Sequence, residues 1–165
     1  MRITEIFFSV QGESTLAGRP CVFVRTTGCD LRCGYCDTTY AFHGGRTMSL
    51  DEILAEVKRH PAKFVCLTGG EPLLQRDLPQ LAERLLGEGY EVSVETHGQV
   101  PTDRLPAGVR RIVDLKTPGS GEVHSDFALF DVLGQRDELK VVVTSRADFD
   151  WAVERIREHG LDRRV

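Results

Sequence analysis

The stretch Thr27–Tyr40, TGCDLRCGYCDTTY, decides how this chain is read. It places three of the five cysteines, Cys29, Cys33 and Cys36, within eight residues. Gly28 and Gly34 stand beside them, so the backbone can fold tightly around a bulky object. Thiolates bind zinc or iron–sulfur clusters. A structural zinc site needs a fourth ligand to close its tetrahedron, and His43 is the nearest candidate, with Cys66 next. A cubane 4Fe–4S cluster held by three cysteines leaves one iron open to a chelating small molecule. Spacing alone leaves both choices open.

Outward from the cysteines, apolar strand-like runs alternate with amphipathic helical stretches. Ile3–Val10 and Cys21–Thr26 are rich in β-branched and aromatic residues, with turn residues Gly18-Arg19-Pro20 before the second. Ser49-Leu50-Asp51-Glu52 is a capping-box pattern, continued by Ile53, Leu54 and Val57 on one helical face. Lys63–Thr68, Tyr90–Thr96, Arg111–Lys116 and Leu139–Thr144 read as strands. Helices are expected at Leu78–Leu85, ended by Gly87 and Gly89, at Ser125–Leu133, and after Ser145, ended by Gly160. This βα alternation predicts an α/β fold of parallel strands with crossover helices. The pattern alone leaves open whether it is a partial (β/α) barrel or a doubly wound sheet. No repeat or linker divides residues 1–165, which read as a single domain.

Composition bounds the function. The 165 residues suffice for one core, and a net charge of −4 offers no basic face for nucleic acid. The basic pair Arg163-Arg164 reads as a solvated end and not as a binding patch. No apolar run could span a membrane, and the N-terminus has acidic Glu5 and no signal-peptide core. An odd count of crowded cysteines fits a reducing compartment, so the expected location is cytoplasmic. Cys21 and Cys66, inside apolar strands, read as small buried hydrophobes.

Cys-x3-Cys-x2-Cys after a strand resembles the signature of the radical S-adenosylmethionine (SAM) enzymes. A second motif agrees: LTGGEPLL, residues 67–74, places Gly69-Gly70-Glu71-Pro72 at a strand end. Alone it is an ordinary βα turn; beside the cysteines it resembles the turn that binds the methionine amino group of SAM. EIFFSVQGESTLAGRPCVFVRTTGCDLRCGYCDTTY, from residue 5 onward, is similar to the 7-carboxy-7-deazaguanine synthases, radical SAM enzymes of the route to queuosine. Named motifs carry this resemblance to about residue 120, and pattern alone carries it beyond. It implies a partial (β/α) barrel of the radical SAM type, a 4Fe–4S cluster, SAM and Mg2+. It also implies rearrangement of 6-carboxy-5,6,7,8-tetrahydropterin to 7-carboxy-7-deazaguanine with loss of ammonia. A small reductant protein of flavodoxin or ferredoxin type, a homodimer and no direct nucleic-acid contact complete the expectation.

The resemblance assigns Cys29, Cys33 and Cys36 to the cluster and Thr38 to Mg2+. Tyr35, Asp37, Gly70, Glu95, Asp114, Lys116 and Ser120 fall to SAM. Val10, Gln11, Gly12, Glu13, Arg25 and Thr68 fall to the substrate. Several of these assignments have chemical sense of their own. Gln11 with neighbouring backbone groups can match the donors and acceptors of a pterin edge, from a place at the barrel mouth; a simple polar turn is the plainer reading. Arg25, in an apolar strand, needs a partner, either a substrate carboxylate or an acidic residue of the chain. Asp37-Thr38 suits a hard cation or a local cap. Lys116 is either a ligand contact or a solvated loop charge. His43, His97 and His124 receive no catalytic role. Two other readings remain: another radical SAM enzyme such as a glycyl-radical-enzyme activase, or a non-enzymatic iron–sulfur or zinc module. The family pattern continues with a further βα segment, which leaves two readings: the chain is partial at its C-terminus, or this member lacks part of the segment that closes over substrate.

Overall fold

The computed structural model describes residues 1–123 and 126–163. Strand β1 (Arg2–Val10) is followed by β2 (Pro20–Thr26) and the cysteine loop. A short β3 (Arg46–Thr47) leads to helix α1 (Leu50–Lys58). Then come β4 (Phe64–Gly69), α2 (Leu78–Gly87), β5 (Glu91–Thr96), β6 (Arg110–Asp114), β7 (Glu138–Lys140) and α3 (Arg146–Glu158). One sheet holds all seven strands in the order β3-β1-β2-β4-β5-β6-β7.

From β2 to β7 every pairing is parallel and the strands follow chain order. A doubly wound sheet would reverse direction at a switch point. The unreversed order therefore selects the partial-barrel alternative. Among the described residues the sheet stays open, with β3 and β7 at its edges. One expectation fails locally: β1 runs antiparallel to β2. Residues 11–19 are too few for the crossover that a parallel pair demands.

The capping box forms as the sequence predicts. Ser49 Oγ accepts from Glu52 N at 3.2 Å, and Glu52 Oε2 accepts from Ser49 N at 2.7 Å. α1 turns Ile53, Leu54 and Val57 inward, and α2 adds Leu78, Leu81, Ala82 and Leu85. They meet Val22, Val24, Val65, Leu67, Val92 and Val94, the alternate residues on one face of the sheet. Removing these side chains from water is the main driving force for this layer. Beyond β5 the pattern is looser. The crossover from β5 to β6 carries no α-helix. The expected helix at Ser125–Leu133 is a 3-10 turn at Phe127–Phe130, and its first residue, Ser125, lies outside the described residues. β7 is three residues long rather than the expected six. His124, Arg164 and Val165 also lie outside the described residues.

Candidate functional site

The register that sends valines and leucines to the helices sends their neighbours the other way. Arg25 is aligned with Thr68, and Asp114 with Lys140; Glu95 follows on the strand next to Thr68. These residues stand at the carboxyl ends of parallel strands, where α/β folds collect ligands. Deeper on the same face lie Cys21, Phe23 and Cys66, packed with Leu16 and Phe64. Both cysteines are fully buried, as expected of small hydrophobes.

A cavity of about 590 Å³ opens over this face. Its walls include all three clustered cysteines and every expected site residue except Ser120. The exception has a local cause. Ser120 Oγ donates to Thr117 O at 2.6 Å and accepts from Glu122 N at 2.9 Å. Its carbonyl accepts from Gly34 N at 2.9 Å, so Ser120 holds the cysteine loop instead of entering the cavity.

The cysteine loop follows β2. Cys36 N donates to Cys33 O at 3.1 Å, closing a tight turn between the second and third sulfurs. All three thiols are free and partly buried. Burial pushes Cys29 and Cys33 above the ordinary thiol pKa, with Lys116 pulling Cys33 back in part. A cationic centre would supply the charge that makes such sulfurs thiolates. Gly70 lies against this loop so closely that a Cβ there would sit 2.2 Å from Gly28 O and 2.9 Å from Cys29 Cβ. Three cysteines lining one cavity and backed by a glycine-rich turn fit a 4Fe–4S cluster with an open iron. Neither expected fourth zinc ligand joins them: Cys66 is sealed in β4, and His43 is exposed and outside the cavity wall.

Two residues of the substrate set, Gln11 and Thr68, are joined through Glu95. Glu95 accepts from Gln11 Nε2 and from Thr68 Oγ1, each at 3.0 Å. Glu95 was expected at SAM; its bonds place it with the two substrate-set residues. Residues 11–19 leave β1 and return to β2 at the end opposite the cysteine loop. Gln11 therefore rises into the interior from below, not at the mouth as expected. Arg25 does find an acidic partner, donating from Nε to Glu5 Oε1 at 2.8 Å. Tyr40 donates to the same oxygen at 2.9 Å. Among the described residues the terminal guanidinium nitrogens of Arg25 make no hydrogen bond.

Lys116 is buried, which rules out a solvated loop charge. Its ammonium lies 2.5 Å from Asp114 Oδ2 and 5.8 Å from the Tyr35 ring centroid. Burial lowers its pKa, but Asp114 more than offsets this, and the net shift is upward. Thr38 Oγ1 donates to Asp37 Oδ1 at 2.8 Å, a local pair at the cavity rim.

Sequence reasoning missed three residues here. Lys140 bridges Glu13 at 2.7 Å and Asp114 at 3.3 Å. Alternation could have found it, since Leu139 and Val141 pack with the apolar cluster on the other side. Glu71 is fully buried and accepts from Leu73 N, Thr96 Oγ1 and His97 N at 2.8–2.9 Å. Burial still raises its pKa, although His97 and these donors counter it. His97 joins Glu71 to Asp30 of the cysteine loop; no pattern in the sequence pairs residues that far apart.

Known proteins are similar to this chain over most of its length. The profile of the radical SAM superfamily matches residues 23–165. The 7-carboxy-7-deazaguanine synthase of Koribacter versatilis is 51% identical over 169 aligned positions, covering 100% of this chain and 74% of that protein. The synthase of the same name from Chlorobaculum tepidum is 44% identical, covering 98% of this chain and 75% of that protein. The crystal structure of QueE from Escherichia coli superposes with a TM-score of 0.77 at 27% identity, over 94% of this chain and 77% of that one.

Proposed function

Because the chain belongs to the radical SAM superfamily and, within it, to the 7-carboxy-7-deazaguanine synthases, we propose that it converts 6-carboxy-5,6,7,8-tetrahydropterin to 7-carboxy-7-deazaguanine with loss of ammonia. The family carries a 4Fe–4S cluster and SAM, and this chain is a radical SAM enzyme of 7-deazapurine biosynthesis. The observation that carries the substrate reading is the polar floor of Gln11, Thr68, Glu95 and Arg25 beneath the three sulfurs, within one cavity.

When bound, the cluster and SAM supply a 5′-deoxyadenosyl radical able to take hydrogen from carbon. Cys29, Cys33 and Cys36 hold the cluster. Gly70, whose missing Cβ lets the turn close onto Gly28 and Cys29, would present its backbone to the methionine end of SAM. Tyr35, Asp37, Asp114 and Lys116 line the adjoining wall and hold the rest of that molecule. Arg25 offers its free terminal nitrogens to the substrate carboxylate, while Glu5 fixes the guanidinium plane through Nε. Gln11, Thr68 and Glu95 orient one another and present donors and acceptors to the pterin edge. Val10, Gly12 and Glu13 complete that wall. Thr38 would offer an oxygen to Mg2+, which would supply positive charge toward the substrate carboxylate.

A single radical SAM domain carries these parts, and a flavodoxin- or ferredoxin-type protein delivers the electron. We read the assembly as a cytoplasmic homodimer without direct nucleic-acid contact. No helix among the described residues is long and apolar enough to cross a membrane. The test is anaerobic turnover of reconstituted, dithionite-reduced protein with SAM, Mg2+ and the carboxypterin, read by mass spectrometry. Appearance of 7-carboxy-7-deazaguanine supports the proposal. Release of 5′-deoxyadenosine without that product overturns the substrate assignment. The Arg25→Ala variant should lose turnover yet keep uncoupled SAM cleavage.

A further inference from the structure

We propose that His97 is a positioning residue for the cysteine loop, holding Asp30, and with it Cys29, against the glycine-rich turn at the end of β4. The inference rests on the reading of Cys29, Cys33 and Cys36 as cluster ligands. His97 follows β5, and its side chain is 5% exposed. Gln99 N donates to Nδ1 at 3.0 Å, so Nδ1 is an acceptor and the ring proton sits on Nε2. Nε2 lies 2.9 Å from Asp30 Oδ1 and 3.4 Å from Glu71 Oε2. The ring thus donates toward two carboxylates, one on the cysteine loop and one on the turn.

Glu71 is anchored on its own account by three donors, and its backbone N donates to Gly28 O at 2.7 Å. The loop is therefore pinned at residue 28 through the backbone and at residue 30 through the imidazole. Cys29 is the residue between the two pins. Its sulfur position is set from both sides before any cluster arrives.

The donor atoms of Cys29, Asp30 and His97 all lie within 4.8 Å of one another, which resembles a site for a single metal ion. The tautomer argues against it. Coordination through Nε2 would move the ring proton to Nδ1, where it would face the Gln99 N–H. The arrangement is built for a hydrogen bond, not for a metal at that nitrogen.

The experiment uses the reconstituted holoprotein without SAM, under anaerobic conditions. Cluster loss to excess EDTA is followed by absorbance, and the reduced cluster by electron paramagnetic resonance. His97→Leu and Asp30→Ala should each lose the cluster about tenfold faster, the size of a charge-assisted hydrogen bond. Each should also shift the resonance spectrum. The double variant should be no faster than either single one. His97→Gln, whose amide N–H can stand where Nε2–H stands, should restore both readouts. Apo-protein melting in all four variants separates faster cluster release from a general loss of stability. Wild-type rates in the single variants, or additive losses in the double, would overturn the inference. Failure of the wild-type chain to take up four irons would instead overturn the cluster reading beneath it.

Discussion

Gly70→Ala is the substitution whose effect the structure specifies most sharply. The added Cβ would stand 2.2 Å from Gly28 O and 2.6 Å from Gly28 C, both backbone atoms. Restoring a normal contact of about 3.4 Å to that oxygen requires a separation of about 1.2 Å between turn and loop. Two bonds lie across that seam, Glu71 N to Gly28 O at 2.7 Å and Gly70 N to Thr26 O at 3.2 Å. Losing the first and stretching the second costs about 1–2 kcal/mol, and the residual strain adds about 1–3 kcal/mol. The expected fall in apo stability is about 2–5 kcal/mol, measured by urea unfolding. Since a shift near 1 Å at a reacting centre can cost about a hundredfold in rate, SAM cleavage by any surviving holoprotein should fall at least that far. Gly34→Ala is the control: its Cβ meets nothing closer than Ser120 O at 3.9 Å. A Gly70→Ala protein with unchanged unfolding and unchanged cluster uptake would refute the close-approach argument.

Further outcomes follow from the same geometry. Cys29→Ala, Cys33→Ala or Cys36→Ala should each abolish a stable four-iron cluster and SAM cleavage, measured by iron content and 5′-deoxyadenosine release. Lys140→Met should destabilise the apo fold by about 1 kcal/mol through the loss of its links to Glu13 and Asp114. Burial lowers the Lys140 pKa, but Asp114, Glu13 and Glu95 together more than offset it and the net shift is upward, so the stabilisation is full below the ordinary lysine value near 10.4 and lost only as pH rises through the higher folded value. The deficit of the variant should therefore be constant from pH 6 to about 9 in melting experiments. Asp148 behaves oppositely. Thr144 and Gly119 donate to its carboxylate and hold its pKa down, so this contribution is present above about pH 4 and fades as pH falls through the lowered value. Asp148→Asn should flatten the acid limb of the stability profile.

The cysteine triplet and the glycine-rich turn were legible because each is a local pattern with a steric or chemical reason behind it. The helices α1 and α2 were legible for the same reason: caps and spacing act over a few residues. Where long-range contacts decide, the sequence was silent. Nothing near Glu95 says that it accepts a bond from Gln11, 84 residues away. Nothing near Ser120 announces that its hydroxyl is spent on Thr117 and Glu122. The antiparallel β1 was readable in principle from the length of the connection, because nine residues cannot carry a crossover helix. Arg25 was read correctly as needing a partner: Glu5 holds its Nε, and the residue also lines the cavity.

The connection between β1 and β2 has a second consequence. Gln11 reaches Glu95 on β5, Glu13 reaches Lys140 on β7, and Thr15 bonds Glu138 on β7 through both its N–H and hydroxyl, at 2.9 and 2.6 Å. Among the described residues the sheet does not close by backbone pairing, so this segment acts as the tie-rod that spans the gap from inside. A molecule resting on residues 11–13 pulls on the same rod. By reciprocity, whatever ligand tightens that segment must hold β7 in place, and whatever loosens β7 must weaken the ligand. Substrate affinity and the order of the far edge are thus one equilibrium, and hydrogen exchange at β7 reports on the occupancy of a pocket it does not touch through its own amides.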